Sequence, residues 1–308
     1  MKNKIVSVVF GGSGFLGSHV ADELSRNGHK VIIYDLEKSQ YITKNQDMVI
    51  GDLHDKELVN KTIKGADNVF HFAGVSDIGL ARKNPELTYK DNIFGTLNLL
   101  EASKSNRVNR FVFASSMYVY SELGSFYRSS KQACEMLIKN YLEEFQLNFS
   151  ILRFGSLYGP RANNFNFIRN AIEEALVNNQ INRKGTGKEI RDYIHVMDAA
   201  KAAVKILDSE FENEYILIKG NETMKVSHIL STINEILGGE VKIRYSKEDH
   251  YDAHYSLTPY SFRPNSARQV QLESYFDLGQ GLLEAAYDIY ESLEKEKKEK
   301  LVNKPIKK

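Results

Sequence analysis

The first half of the chain shows short apolar runs separated by longer amphipathic stretches. Runs of this length are typical of buried strands, and apolar positions recurring every three or four residues are typical of helices. The predicted strands are Ile5–Phe10, Lys30–Tyr34, Met48–Ile50, Asn68–Phe72, Arg110–Ala114 and Phe149–Leu152. The predicted helices are Phe15–Asn27, Lys56–Lys64, Pro85–Ser105 and Tyr127–Phe145. Such alternation predicts an α/β fold, a doubly wound parallel sheet with helices on both faces.

The regular alternation of predicted strands and helices ends after about Gly155. Helices are predicted near 164–177, 197–208, 226–237 and 278–297, with isolated strands near 190–194, 214–218 and 241–245. Longer loops are predicted at Gly159–Asn166 and Asn182–Lys188. We therefore predict one unit over residues 1–155, to which the chain returns at about 190–220, and a smaller C-terminal α/β lobe over 156–308.

Charge and cysteine content exclude several classes of protein. The 308 residues carry 41 Lys+Arg and 40 Asp+Glu, so no overall basic field is present to attract nucleic acid. The lysine-rich stretch 295–308 is either a solvated helix end or a local binding segment, and the first interpretation is preferred. A single cysteine, Cys134, allows neither an intramolecular disulfide nor a cysteine metal cluster, and no other metal site is predicted.

The apolar segments give an expectation about location. No apolar run approaches the about 18 residues that would suggest a membrane-spanning helix, and the first residues do not form a signal peptide. We therefore expect a cytoplasmic protein without a membrane partner, which also suits its single cysteine.

A glycine-rich turn follows the first predicted strand. Residues 11–17 read GGSGFLG, and a helix is predicted from Phe15 onward. Glycines at this place let the backbone approach a pyrophosphate, which then lies at the positive end of the helix. The second strand is followed by Asp35, about 20 residues on, where a carboxylate can bind the adenosine ribose hydroxyls and repel a 2′-phosphate. The pattern predicts a Rossmann unit that binds NAD in preference to NADP.

Asp52 follows the third predicted strand and has two possible roles. Its carboxylate could bind the adenine amino group, or it could cap the helix predicted to begin at Lys56. The residues themselves do not separate these alternatives.

Tyr127 and Lys131 are the candidate catalytic residues. They are four positions apart, so on a helix they share one face. A lysine ammonium together with the positive nicotinamide would lower the pKa of the phenol, which could then take a proton from a sugar hydroxyl. Ser116, at the end of the fifth strand, could hold that hydroxyl in place.

Several motifs in order resemble the extended short-chain dehydrogenase/reductase family, in its branch of nucleotide-sugar epimerases and dehydratases. The motifs are the glycine turn, 71–74 (HFAG), Asn92, 115–120 (SSMYVY), Tyr127 with Lys131, 152–161 (LRFGSLYGPR) and 191–198 (RDYIHVMD). The resemblance runs from residue 5 to about 270. It implies NAD as cofactor, a GDP- or UDP-sugar as substrate, and a homodimer formed through the helices Pro85–Ser105 and Tyr127–Phe145.

The resemblance also implies a role for each matching position. Ser116, Tyr127 and Lys131 match the catalytic residues, and Arg191 and Arg263 match phosphate ligands of the sugar nucleotide. Implied cofactor contacts are Gly11, Gly14, Phe15, Leu16, Asp35, Asp52, Leu53, Phe72, Ala73, Gly74, Asn92, Tyr127, Lys131 and Phe154. Implied substrate contacts are Ser116, Met117, Tyr118, Ser156, Arg191 and Arg263.

Three features depart from the family pattern. Met117 and Tyr118 stand where dehydratases of the family carry acidic residues, so elimination of water is not expected. Ser156 stands where an asparagine often binds the substrate diphosphate. The link from Ser121 to Phe126 is short, and it resembles that of capsule-pathway enzymes that oxidise C4 of GDP-heptose.

Three functions remain to be compared. The first is oxidation of C4 of a GDP-heptose-like nucleotide-sugar in surface polysaccharide biosynthesis. The second is a 4-epimerase, which forms the same ketone and returns the hydride. The third, a non-catalytic NAD(H)-binding sensor or scaffold, is disfavoured because Ser116, Tyr127 and Lys131 are all present.

Overall fold

The computed structural model describes residues 4–246 and 268–302. Its strands are β1 (Val6–Phe10), β2 (Lys30–Asp35), β3 (Gln46–Ile50), β4 (Asn68–His71), β5 (Arg110–Ser116), β6 (Phe149–Phe154), β7 (Ser156–Tyr158), β8 (Gln180–Lys184), β9 (Ile190–His195), β10 (Glu214–Ile218), β11 (Thr223–Lys225), β12 (Lys242–Ser246) and β13 (Arg268–Gln269). Eight of them form one parallel sheet in the order β13-β10-β6-β5-β4-β1-β2-β3. The predicted doubly wound parallel sheet is confirmed.

Ten helices accompany the strands in the described residues. They are α1 (Phe15–Arg26), α2 (Lys56–Ile63), α3 (Ile78–Lys83), α4 (Pro85–Tyr89), α5 (Gly95–Ser105), α6 (Ser125–Phe145), α7 (Phe167–Asn178), α8 (Val196–Lys205), α9 (Val226–Ile236) and α10 (Leu278–Val302). A π-helical turn, Lys90–Phe94, joins α4 to α5, and 3₁₀ turns lie at Met117–Tyr120 and Ser209–Phe211. The single helix predicted over Pro85–Ser105 is therefore interrupted by one wider turn.

Alternating side chains of the central strands fill two separate cores. Val9 belongs to the core beneath α1 and α8, whereas its neighbours Val8 and Phe10 belong to the core beneath α2, α5 and α6. Successive strand residues point to opposite faces, so a strand covered on both faces must be apolar at nearly every position. This explains why the short apolar runs identified the strands of the large sheet.

The elements that the sequence analysis missed are short or lack an apolar run. Helix α3 has only six residues and begins where Asp77 caps it through Gly79 N (2.7 Å) and Leu80 N (3.2 Å). Residues 182–184, predicted as loop, belong to β8, which pairs with β12 in a small parallel sheet. Only Ile181 of β8 is fully buried, so its pattern carries little signal.

The segments after β6 form a third core and two small sheets. Helices α7, α9 and α10 pack around Ile172, Ile229 and Leu282. Strand β9 lies between β7 and β11 in a three-stranded sheet, while β10 returns to the large sheet beside β6. Of the stretch predicted to return at about 190–220, it is thus β10 that joins the large sheet. No helix in residues 4–246 and 268–302 is long and apolar enough to cross a membrane.

Candidate active site

A cleft of about 1140 Å³ runs along the carboxyl ends of the central strands. One wall is the large sheet with α3 and α6, and the other is built by β7, α7, β8 and β9. Ligands of open parallel sheets bind at this edge. The sequence-predicted residues that line the cleft are Gly11, Gly14, Phe15, Leu16, Asp35, Asp52, Leu53, Phe72, Ala73, Gly74, Ser116, Tyr118, Tyr127, Lys131, Phe154, Ser156 and Arg191.

The glycine turn has the close packing that a dinucleotide site needs. A Cβ on Gly11, whose φ is +79°, would lie 2.6 Å from Ala73 N, and one on Gly17 would lie 2.1 Å from Gly11 O. A Cβ on Gly14 would meet only Gly11 O, at 3.2 Å, and would otherwise project into open space. The backbone at the start of α1 is therefore accessible to a diphosphate, so these residues fit NAD.

Asp35 and Asp52 both face the cleft, and their hydrogen bonds differ. Asp35 accepts the backbone N–H of Ser13 at 2.9 Å, which ties the second strand to the glycine turn. Asp52 accepts the N–H of His54 at 2.9 Å. The cap of α2 is Asp55, which accepts the N–H of Leu58, so a helix-capping role for Asp52 is wrong.

Ser116, Tyr127 and Lys131 converge at one end of the cleft. The hydroxyl of Tyr127 is hydrogen-bonded to Ser116, and the ammonium of Lys131 donates to Ala114 O at 2.9 Å. Burial raises the pKa of Tyr127 to about 12, and the hydrogen bond to Ser116 opposes that shift. Burial lowers the pKa of Lys131, whereas nearby Cys134 and Glu135 raise it. In the protein without a bound cofactor, burial therefore raises the pKa of Tyr127, although Lys131 and the nicotinamide were expected to lower it.

A buried ion pair beneath these residues was missed by the sequence analysis. Glu135 follows Lys131 by one helical turn and is bound by Arg153 through two hydrogen bonds of 3.0 and 2.6 Å. Ser115 donates to the same carboxylate at 2.5 Å, and Arg153 also donates to the hydroxyl of Tyr120 at 2.6 Å. The pair joins β5, β6 and α6 where the candidate catalytic side chains emerge. The spacing of four from Lys131 was the signal that could have revealed Glu135.

Two predicted site residues do not line the cleft, and a third is not described. Asn92 is buried behind the loop after β4, where its amide accepts Val75 N at 2.7 Å and donates to Ser130 Oγ at 2.9 Å. Met117 is only 1% exposed because the 3₁₀ turn after β5 directs it inward. Both are therefore corrected to supporting positions, while Arg263 lies outside the described residues.

The far end of the cleft is positively charged. Arg191 on β9 is 6% exposed and lies with its guanidinium 5.6 Å from the ring centre of Phe167. Its Nε and Nη2 atoms have no hydrogen-bond partner among the described residues. Arg183 on β8, which the sequence analysis did not single out, lines the same end. Its sequence neighbourhood, a predicted loop, gave no indication that the side chain faces the site.

The histidines near the site are buried in the fold. Burial lowers the pKa of His71 to about 3 and that of His195 to about 4. His71 is hydrogen-bonded to Thr96 Oγ1 at 2.9 Å, and His195 stacks on Phe276. In the part of the chain that the structure describes, no three potential metal ligands come together. His71 and His195 are therefore packed into the protein as structural residues.

Comparison with known proteins identifies the family. The sequence profile of the NAD dependent epimerase/dehydratase family matches residues 7–218. A Methanocaldococcus jannaschii protein provisionally named UDP-glucose 4-epimerase is 30% identical over 261 residues, covering 78% of this chain and 85% of that protein. A Bacillus cytotoxicus UDP-N-acetyl-alpha-D-glucosaminuronate decarboxylase is 27% identical over 263 residues, covering 77% of this chain and 81% of that enzyme.

Solved structures agree with the fold. The UDP-glucose 4-epimerase of Thermotoga maritima, solved with UDP-glucose, has a TM-score of 0.82 at 24% identity and covers 94% of this chain and 100% of its own. The UDP-N-acetylglucosamine 4-epimerase of Methanobrevibacter ruminantium, solved with UDP-N-acetylmuramic acid, has a TM-score of 0.80 at 25% identity and covers 95% and 100%. Together with the glycine turn and the cleft, these matches show that the chain is an NAD-dependent enzyme of the nucleotide-sugar epimerase/dehydratase family.

Proposed function

We propose that the protein oxidises the C4 hydroxyl of a nucleotide-sugar to a ketone. The observation that carries this proposal is the hydrogen-bonded pair Tyr127–Ser116 with Lys131 one helical turn away, in the same cleft as the glycine turn. Residues 1–155 together with β10 would hold the cofactor. The lobe over 156–308 would hold the sugar nucleotide, with Arg191 and Ser156 at its diphosphate.

Tyr127 acts as the general base in this proposal, and Ser116 orients the sugar hydroxyl. A phenol with a pKa near 12 is protonated at neutral pH, so it needs nearby positive charge to become a base. Lys131 supplies one such charge, its Nζ lying 5.8 Å from the ring centre of Tyr127. Bound NAD⁺ would supply the hydride acceptor and a second positive charge. Tyr127 Oη, ionised under the influence of these charges, would accept the proton of the C4 hydroxyl.

Elimination of water is not supported by the side chains beside Tyr127. Met117 is turned into the protein, and Tyr118 contacts Tyr127 edge to face with ring centres 6.2 Å apart. The nearby carboxylate of Asp77 is engaged in capping α3. A dehydratase needs an acid and a base in addition to the group that removes the C4 proton. These residues support oxidation without loss of water.

For the fate of the ketone we propose net 4-dehydrogenation of a GDP-heptose-like sugar. The support is the short segment between Tyr120 and α6, in which Gly124 lines the cleft with φ +100°. A Cβ there would lie 2.7 Å from Tyr118, so this position is packed too tightly for a side chain. Because few residues separate Tyr120 from α6, the wall over the sugar is short, which would leave room for a sugar larger than a hexose. The second candidate is a 4-epimerase, which the names of the relatives above favour.

Product analysis tests the proposed reaction. We expect the purified enzyme with NAD to give a product two mass units lighter than its substrate, measured by mass spectrometry on GDP-heptose and on common UDP- and GDP-hexoses. An unchanged mass with inverted C4, seen by NMR, would replace dehydrogenase by epimerase. A loss of eighteen mass units would contradict the inference drawn from Met117 and Tyr118. Consumption of none of these sugars would refute the function.

Cofactor preference is a second expectation. Asp35→Asn keeps an oxygen that can accept the Ser13 N–H but removes the charge that repels a 2′-phosphate. We expect the preference for NAD over NADP to fall about tenfold, the effect of roughly 1.4 kcal/mol, in calorimetric titrations. Asp47→Asn, at an exposed position of the neighbouring strand, serves as the control. Tighter binding of NADP than NAD by the unmodified protein would show that Asp35 was misinterpreted.

We also propose a homodimer, with a corrected interface. Leu100 and Tyr141, which lie on the two helices expected to form the interface, are buried in the core beneath α5 and α6. Met136, which is 64% exposed, and Phe145, which is 51% exposed, remain on the outer face of α6. Light scattering at micromolar concentration should give twice the 35.1 kDa chain mass. Met136→Glu should shift the protein towards the monomer, and a monomeric unmodified protein would refute the dimer.

A further inference from the structure

Two arginines on neighbouring segments lie against one aromatic ring. The guanidinium carbons of Arg183 (β8) and Arg191 (β9) are 5.1 and 5.6 Å from the ring centre of Phe167, the first residue of α7. All three side chains line the cleft. The ring can therefore hold both guanidinium groups at one end of the cleft, through the contacts that planar cations make with aromatic faces.

Among the residues that the structure describes, the positive charges at this end are only partly balanced. Glu189 accepts from Arg183 Nη2 at 3.1 Å, and it is the carboxylate paired with Arg183 among the described residues. Within residues 4–246 and 270–298, Arg183 Nε and Arg191 Nε and Nη2 are buried without an acceptor. Buried donors that lack a partner cost free energy, and charged ones cost the most. An anion that accepts from both arginines would remove that cost.

Helix α7 adds to the same field. It has 12 residues, and Asn166 caps it by accepting from Arg169 N at 3.1 Å. Asn166, Phe167 and Ile168 line the cleft, so the helix presents its positive end to the space beside the two arginines. A group with two adjacent phosphates offers each guanidinium group its own acceptor, whereas a single phosphate would have to accept from both.

We propose that Arg183 is a phosphate-binding residue in addition to those that the sequence implied, and that together with Arg191 it clamps the diphosphate of the substrate. This inference rests on the proposed function, since it takes the ligand to be a sugar nucleotide. Arg191 would bind one phosphate bidentately, and Arg183 would donate to the other through its Nε–H. Arg183 then makes the enzyme select diphosphates over monophosphates.

The test is a set of calorimetric titrations with UDP, GDP, UMP and GMP. Arg183→Gln should weaken the nucleoside diphosphate that the unmodified enzyme prefers by about 10- to 100-fold, the range for a lost charged hydrogen bond. It should weaken binding of the matching monophosphate by no more than about threefold, so most of the preference for the diphosphate is lost. The affinity of Arg183→Lys for the diphosphate should lie between that of the unmodified enzyme and that of Arg183→Gln. Lys188→Gln, on the exposed loop after β8, should bind as the unmodified enzyme does.

Folding is controlled with a second variant. Arg183→Gln leaves the Glu189 carboxylate buried without its cation, so Arg183→Gln/Glu189→Gln removes both charges and should show the same loss for diphosphates. Unmodified enzyme that binds neither UDP nor GDP would refute the proposed function. If the unmodified enzyme prefers a diphosphate and the double variant keeps that preference, the role of Arg183 is refuted and the proposed function stands.

Discussion

Replacing Tyr127 by phenylalanine is expected to abolish most turnover while leaving NAD in place. The change removes only the hydroxyl that is hydrogen-bonded to Ser116, and the aromatic ring keeps its contacts with Val75 and Tyr118. Loss of a general base typically lowers kcat by about 10²–10⁴-fold. The measurement is kcat on the sugar identified by product analysis, together with the Kd for NAD by calorimetry.

A matched control distinguishes a catalytic role from a packing role. Tyr89→Phe removes a hydroxyl that is hydrogen-bonded to Ser129 Oγ at 3.0 Å on another face of α6, outside the cleft. Turnover of this variant should stay within a factor of about two of the unmodified enzyme, since it loses one partly exposed hydrogen bond. If Tyr127→Phe were no slower than Tyr89→Phe, Tyr127 would not be the base.

Breaking the buried ion pair should have the largest effect on stability. Arg153 is fully buried, and its partner Glu135 is 7% exposed at the side chain. Arg153→Met leaves this carboxylate in the interior with the Ser115 hydroxyl as its remaining hydrogen-bond donor. Removing one partner of a buried pair costs about 3–5 kcal/mol, because the other charge stays buried and uncompensated. Urea unfolding monitored by circular dichroism measures the loss.

The double variant Arg153→Met/Glu135→Leu tests the physical cause. It removes both charges, and buried pairs replaced by apolar side chains are often neutral or stabilising. We expect it to regain at least half of the stability lost by Arg153→Met, the remainder reflecting the unsatisfied Ser115 hydroxyl. A double variant less stable than Arg153→Met would mean that the pair itself, and not the isolated carboxylate, decides the stability.

Local patterns along the chain were sufficient for the fold and for the cofactor end of the site. Strands of a sheet covered on both faces are apolar at nearly every position, so β1, β4 and β5 were visible as runs. The glycine turn was equally visible, because its tight contacts with Ala73 leave no space for a side chain. The shared helix face of Tyr127 and Lys131 also follows from spacing alone.

The spacing of residues along the sequence could not show where side chains point at positions where a strand ends in a turn. The 3₁₀ turn after Ser116 sends Met117 inward and Tyr118 into the cleft, although both stand at the same strand end. Asn92 carries a motif position but reaches the loop after β4 instead of the cleft, because the π-helical turn places it behind Gly74. The residue that caps α2 is Asp55, three residues beyond Asp52, the candidate considered from the sequence.

Electrostatic properties depended on the tertiary structure even more. The pKa of Tyr127 is raised by burial, which depends on α3 and the loop after β4 closing over it, elements far from Tyr127 in the chain. Arg183 and Arg191 lie against the same ring only because β8 and β9 both pass beside Phe167, at the start of α7. The sequence by itself determined the sheet and the cofactor turn and indicated Ser116, Tyr127 and Lys131 as candidate catalytic groups, since these follow from short patterns along the chain. The tertiary structure decided which side chains face the cleft and how charged they are there, since burial and charge proximity depend on segments distant along the chain.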